Sequence, residues 1–182
     1  MGISLAWISV TGRSRDSVLE ELGFEGTEER GDFHDFPLAG SDEQDGACII
    51  SALRCDHPIV RKKTLEVLSS QCAIVACSIE EHVNYSSVAF WKNGKLDWSI
   101  EHRGDEDPEN LTVTGAPDGL EQILRELPKD DPEVDDYFDV PLLMARKLTG
   151  FRHDENHPIL DGRFQALLAA TPAGAKSWWK FW

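Results

Sequence analysis

The segment Cys72-Ala73-Ile74-Val75-Ala76-Cys77-Ser78-Ile79 is the most continuous apolar run in the chain. A strand with one wet face alternates apolar and polar side chains, so a short run without alternation predicts a central strand covered on both faces. Two further segments supply neighbours. Ile3 to Val10, with Ile3, Leu5 and Trp7 on one side, reads as a first strand, and Ala47 to Leu53, apolar on both faces, reads as another interior one.

Between these lie helix signals. Ser14 can cap a helix that carries Val18, Leu19 and Leu22 on one stripe, and Gly23 stands where a left-handed residue would end it. Asp56 followed by Pro58 predicts a second start, because an acceptor side chain serves the free amides and proline needs no hydrogen bond in the first turn. That helix is expected to run to about Ser69, with Asp56 as cap and His57 exposed. Phe33 to Leu38 reads as a strand that Pro37 confines to a sheet edge. Gly26 to Asp32 reads as a polar stretch, and Gly40 to Gly46, rich in Ser, Asp and Gly, as a loop.

The clearest local signal is Lys92-Asn93-Gly94-Lys95, flanked by Tyr85 to Trp91 and Leu96 to Glu101. Asn-Gly tolerates positive φ at both positions and so favours a tight hairpin turn. Pairing outward sets Trp91 opposite Leu96 and Ala89 opposite Trp98 on one face, with Val88, Phe90, Asp97 and Ser99 on the other. From Ile3 to Ile79 the order is strand, helix, strand, strand, helix, strand, the split βαβ order of ferredoxin-like folds, which the hairpin would extend. The expected class is α+β: a mainly antiparallel sheet with helices on one face, followed by C-terminal helices. Leu120, Ile123, Leu124 and Leu127 space one such helix, Leu142, Met144, Ala145 and Leu148 space another that ends at Gly150, and Phe164 to Ala170 is expected as a last one. Residues 1–170 are read as one domain, with a core over 1–103 and an acidic, helical extension over 104–170. Residues 171–182 are read as a linker and an aromatic tail.

Charge narrows the partner classes. Eighteen Lys and Arg against 33 Asp and Glu give a net charge of -15, a field that repels nucleic-acid phosphates and anionic lipid. Twelve acidic and two basic residues lie between Gly104 and Asp136. No run is long enough to span a bilayer. The first residues are apolar over too short a distance for a signal peptide and lack a basic leader, so a cytoplasmic chain with reduced Cys48, Cys55, Cys72 and Cys77 is expected.

Chemistry-bearing constellations are few. Cys55-Asp56-His57 puts a thiol near an imidazole at a strand-to-helix junction, and Glu80-Glu81-His82 follows the central strand. His153-Asp154-Glu155-Asn156-His157 is the one close histidine pair; His153 and His157 could ligate a divalent metal if helical, although Pro158 and the polar context favour a solvated loop. No Gly-rich phosphate loop, Gly-x-Ser-x-Gly elbow or Cys-x-x-Cys pair occurs. The aromatic tail stands apart: Trp178, Trp179, Phe181 and Trp182 are bound for the chain's own body, a second copy, a protein partner or a membrane interface.

These readings point to a non-enzymatic binding protein of the inhibitor or immunity type. Its partner surface would comprise the acidic Asp130, Asp131, Glu133, Asp135 and Asp136 together with the tail aromatics, meeting a basic protein. No cofactor is expected on this reading. The alternative is a small metal-assisted or hydrolytic enzyme using His153 and His157. The chain is expected as a monomer, or as a homo-oligomer joined through the tail.

Overall fold

The computed structural model describes residues 2–105, 107, 109–128, 135–155, 160 and 162–170. The strands are β1 (Ser4–Thr11), β2 (Phe24–Gly31), β3 (Leu38–Ser41), β4 (Ala47–Ala52), β5 (Ala73–Glu80), β6 (Tyr85–Lys92), β7 (Lys95–Arg103), β8 (Leu111–Thr114) and β9 (Phe164–Ala169). The helices are α1 (Arg15–Leu22), α2 (Lys62–Leu68), α3 (Leu120–Glu126) and α4 (Asp139–Thr149). All nine strands join one antiparallel sheet in the order β2-β9-β3-β4-β1-β5-β6-β7-β8. The class is α+β and mostly sheet, as the sequence predicts.

β1 pairs with β4 on one side and β5 on the other, and its side chains alternate between two cores. Leu5 and Trp7 face one core with Val75, Cys77, Ile79 and Ile100. Ala6, Ile8 and Val10 face the other with Ile50, Ile74 and Ala76. Burial on both faces explains the unbroken apolar run of β5. The second core is closed by α1 through Val18, Leu19 and Leu22, and by α2 through Leu65 and Leu68. The first is closed by α4 through Val140, Leu142, Met144 and Ala145, with Phe151 edge-on to Trp7 at 5.0 Å between ring centres. Helices on one face therefore describe α1 and α2 alone; α4 lies on the opposite face. Within the sheet, β3-β4-β1-β5 follow in a contiguous antiparallel order with α1 and α2 on one face, an order compatible with a split βαβ unit. β2 and β9 lie beyond one side of these four strands and β6 to β8 beyond the other.

Phe164 to Ala170, expected as a helix, are extended over Phe164–Ala169. These residues form β9, inserted between β2 and β3. Leu and Ala favour helices in isolation, but two open strand edges offer Phe164 to Ala169 a full set of backbone partners, and tertiary context overrides propensity. The polar stretch after Gly23 is likewise a strand, β2, whose burial is slight along its length. It is an edge strand with a register shift between Gly26 and Arg30, and its charges and irregularity suit an edge that must resist pairing with other chains. Phe33 to Leu38 is not a strand: Phe33–Asp35 is a 3-10 turn, and β3 begins after Pro37 and takes in part of the expected Gly40 to Gly46 loop.

The hairpin turn is as expected, with Asn93 at φ 52° and Gly94 at φ 71°. Its register differs. Trp91 faces Leu96, but a shift at Asp97 then sets Phe90 opposite Trp98 and Ala89 opposite Ser99. The extra residue sends Trp91 and Trp98 into different cores, while Phe90 and Trp98 stack at 5.9 Å. Among the described residues no helix is long and apolar enough to cross a membrane.

Candidate functional site

The strand ends at Ser4 and Glu80 bring together residues that are remote in sequence. The Ser4 hydroxyl accepts from the Cys55 backbone N–H at 3.1 Å. The Cys55 thiol donates to Glu80 at 3.5 Å, and the other Glu80 oxygen lies 2.6 Å from Nδ1 of His82. Next to them Glu81 accepts from the Ile3 N–H at 2.8 Å. Its second oxygen is 3.6 Å from Nε2 of His153, whose side chain is 4% exposed. Neither ring nitrogen of His153 makes a hydrogen bond among the described residues, and burial above all pushes its pKa down.

Thiol, imidazole and carboxylate meet here, but in an order that suppresses nucleophilic chemistry. A nucleophilic thiol is activated by handing its proton to a base or by a cation that stabilises the thiolate. Cys55 instead points at a carboxylate. Its pKa is raised, first by burial and then by Glu80, against an opposing hydrogen bond from Ser4. Glu80 stays ionised: the hydrogen bonds from Ser4 and His82 lower its pKa. His57, the histidine that neighbours Cys55 in sequence, is committed elsewhere. Its Nδ1 accepts the Ile59 N–H at 3.3 Å and caps the turn Pro58–Val60, while Asp56, the expected cap, pairs with Arg54. The two elements of the expected helix are thus a 3-10 turn and α2. Cys48 is held up at about 11 by burial, and the buried Cys77 is pushed higher still. Of the histidine pair, His153 is inside the protein and His157 lies outside the described residues. No group of three metal-ligating side chains occurs among those described.

The acidic stretch divides into two parts. Asp130, Asp131 and Glu133 lie outside the described residues, as do Trp178, Trp179, Phe181 and Trp182. Asp135 is turned inward. Its Oδ2 sits 3.0 Å from Nε2 of His102, and its Oδ1 accepts the Phe138 N–H at 3.2 Å. His102 is fully buried, and its Nδ1–H donates to the Asn110 carbonyl at 2.7 Å. Both ring nitrogens therefore face oxygens, and one proton must sit between Nε2 and Oδ2. Beside this pair the Ser86 hydroxyl donates to the Phe138 carbonyl at 2.7 Å. Gly104 makes room for it: a Cβ there would meet Asp135 Oδ2 at 2.4 Å and the His102 ring at 2.9 Å. Together β6 and β7 clamp the lead-in to α4, which sets Asp136 at the mouth of a groove.

That groove runs between α3 and α4 and encloses about 650 Å³. Ile123, Leu127 and Leu143 form its apolar floor, and Glu126, Asp136, Asp139, Arg146 and Lys147 its rim. Asp139 is bound to Arg152 at 2.8 Å and Arg146 to Glu155 at 2.9 Å. The spacing of Leu120, Ile123, Leu124 and Leu127 predicts α3 well, but the groove arises from how α3 meets α4, and no local pattern encodes it. His102 carries no motif of its own, but it shares the parity of Trp98 and Ile100 in a strand whose alternate residues are buried, and that parity marks it as inward.

Two outcomes test these assignments. Glu80→Gln removes a charge that raises the Cys55 thiol, so alkylation of Cys55 by iodoacetamide at neutral pH should speed up several-fold, whereas an unchanged or slower rate would contradict the suppressed-thiol reading. Asp135→Ala should cost about 1–3 kcal/mol in urea denaturation, and Asp135→Asn should recover part of it, because its amide can donate to Nε2 of His102 while Nδ1–H stays on the Asn110 carbonyl; equal losses would contradict the His102–Asp135 contact. Comparison with protein-family models, curated proteins and solved structures finds no match to this chain.

Proposed function

We propose that this chain is a binding protein that engages a basic protein partner through the groove between α3 and α4. The observation that carries the reading is the groove itself, about 650 Å³ with an aliphatic floor and a mixed rim on which the carboxylates Glu126, Asp136 and Asp139 outnumber the cations Arg146 and Lys147. Protein interfaces combine an apolar centre, which supplies affinity, with a charged rim, which steers encounter and rejects wrong partners. The net charge of -15 extends that steering beyond contact distance. In sequence, Asp130, Asp131 and Glu133 fall between Pro128 and Asp136, both of which line the groove. Asp135 serves as an anchor for this edge, held to His102, and Asp136 as its contact residue. An inhibitor or immunity-type protein that covers the cationic cleft of a nuclease or toxin is the concrete form of this proposal.

A photo-crosslinking amino acid placed at Gln122 and at Lys147 in the native cell tests the reading, with Lys62 on the opposite face as control. An adduct at 122 and 147, absent at 62, is expected with one protein that presents a basic surface. Association of the purified pair should then slow about tenfold or more with Glu126→Lys and Asp136→Lys combined, as rim charges act mainly on the on-rate. Equal adducts at all three positions, or an unchanged rate, would overturn it.

A further inference from the structure

On the opposite side of the sheet from that groove, a cavity of about 230 Å³ opens between the end of α1 and the turn Pro58–Val60. Leu22, Phe24, Leu38, Pro58 and Ile59 line it, with the ring of His57 and the small side chain of Ala169. His57 is its one ionisable group; burial pushes the pKa down to about 4, and Nδ1 is occupied by the Ile59 N–H. The wall near neutral pH is thus uncharged, with the Phe24 and His57 rings 6.4 Å apart and tilted by 41°. Small-molecule pockets run to roughly 300–1,000 Å³ and carry several convergent polar groups. This cavity is smaller and almost wholly apolar, which suits an aromatic side chain better than a metabolite.

The position of the chain says which aromatic side chain. Ala169 is part of the cavity wall, and the next residue, Ala170, donates its N–H to the Gly23 carbonyl at 2.8 Å, one residue before Phe24. Residues 171–182 therefore leave from the cavity's own rim. Trp178 follows Ala169 by nine residues, a span that reaches at most about 30 Å when extended, so a reversal suffices to return it, and Pro172-Ala173-Gly174 has the composition of a turn. Lys176 and Lys180 stand before and between the aromatics in sequence, exposed Glu25 adjoins Phe24, and Arg54, Asp56 and Arg61 act on His57, so charge near the cavity is mixed and the return rests on the chain's path.

We propose that this cavity is the docking site of the chain's own aromatic segment, Trp178 to Trp182, folded back onto the body that carries it. The site takes an indole ring between Phe24, His57 and Pro58. The tail aromatics are thereby withdrawn from partner binding, and the groove between α3 and α4 is left open on the other face. The inference does not depend on the function assigned to that groove.

Fluorine NMR of the full chain labelled with 5-fluorotryptophan tests it. Trp7, Trp91 and Trp98 report the body; replacing each tail tryptophan by Phe assigns the other three resonances. The expected result is at least one tail resonance displaced from the free-indole position, unchanged over a wide concentration range, and returned to that position by Ala169→Arg while the three body resonances stay in place. Pro58→Asp, on a different element, repeats the test if Ala169→Arg disturbs the body resonances. Three results would overturn the proposal. Tail resonances all at the free-indole position would leave a foreign protein or a membrane as the occupant, a displacement that grows with concentration would assign a second copy, and a displacement that survives both substitutions would place the tail elsewhere on the body.

Discussion

Every layer of this protein hangs on β1. It is hydrogen-bonded along both edges, to β4 and β5, and buried on both faces, so its even and odd side chains are the shared floor of two separate cores. Trp7 and Ile8 are adjacent in sequence and lie in different cores, 1% and 0% exposed respectively. Each such side chain contributes roughly 1.5–3 kcal/mol by leaving water, but the larger effect is geometric. A slip of one residue in β1 would exchange the whole set of side chains between the two faces, and the differing sizes of Trp7 and Ala6, or of Leu5 and Ser4, make that exchange untenable in packed interiors. With β1 fixed, β5 must be apolar throughout, α1 and α2 must close one side, and α4 must close the other.

The two faces are put to different uses. On the α4 side, polar side chains reach out of the sheet where a wholly apolar face would be expected: Ser86 and His102, paired across β6 and β7, grip the segment Asp135–Phe138. A buried polar contact of this kind contributes modestly to net stability but is costly to leave half made, so it fixes the segment in one place. The consequence is a groove beside α3 whose Asp136 edge is tied to the sheet. On the α1 side the contacts are apolar, and the cavity at the Phe24 edge is bounded by the strand from which residues 171–182 depart.

Local patterns in the sequence told most where local physics decides. The Ser14 cap and the left-handed Gly23 of α1, the Asn93-Gly94 turn and the left-handed Gly150 that ends α4 were all legible, since each depends on a few neighbouring residues. What escaped depends on partners remote in the chain. β9 is a strand only because β2 and β3 leave it two edges to fill, and β2 is polar because it forms a sheet edge. The shift at Asp97 alters the hairpin beyond the reach of turn rules. The candidate sites follow the same division: acidity was plain in the composition, whereas Asp135 facing His102, and Cys55 facing Glu80, join segments 33 and 25 residues apart. The spacing of His153 and His157 would suit a ligand pair on a helix, and the near-complete burial of His153 is not visible in that spacing.

β1 is the element whose loss dissolves both cores together. Native-state hydrogen exchange measures this directly, residue by residue. The amides of Trp7, Ile8 and Ser9 should exchange only through global unfolding, with a free energy equal to that from denaturant titration, while amides of the edge strands β2 and β8 exchange through smaller openings. If the β1 amides exchange at a lower free energy than those of β6 and β7, the two cores open independently of the strand between them, and the central claim fails.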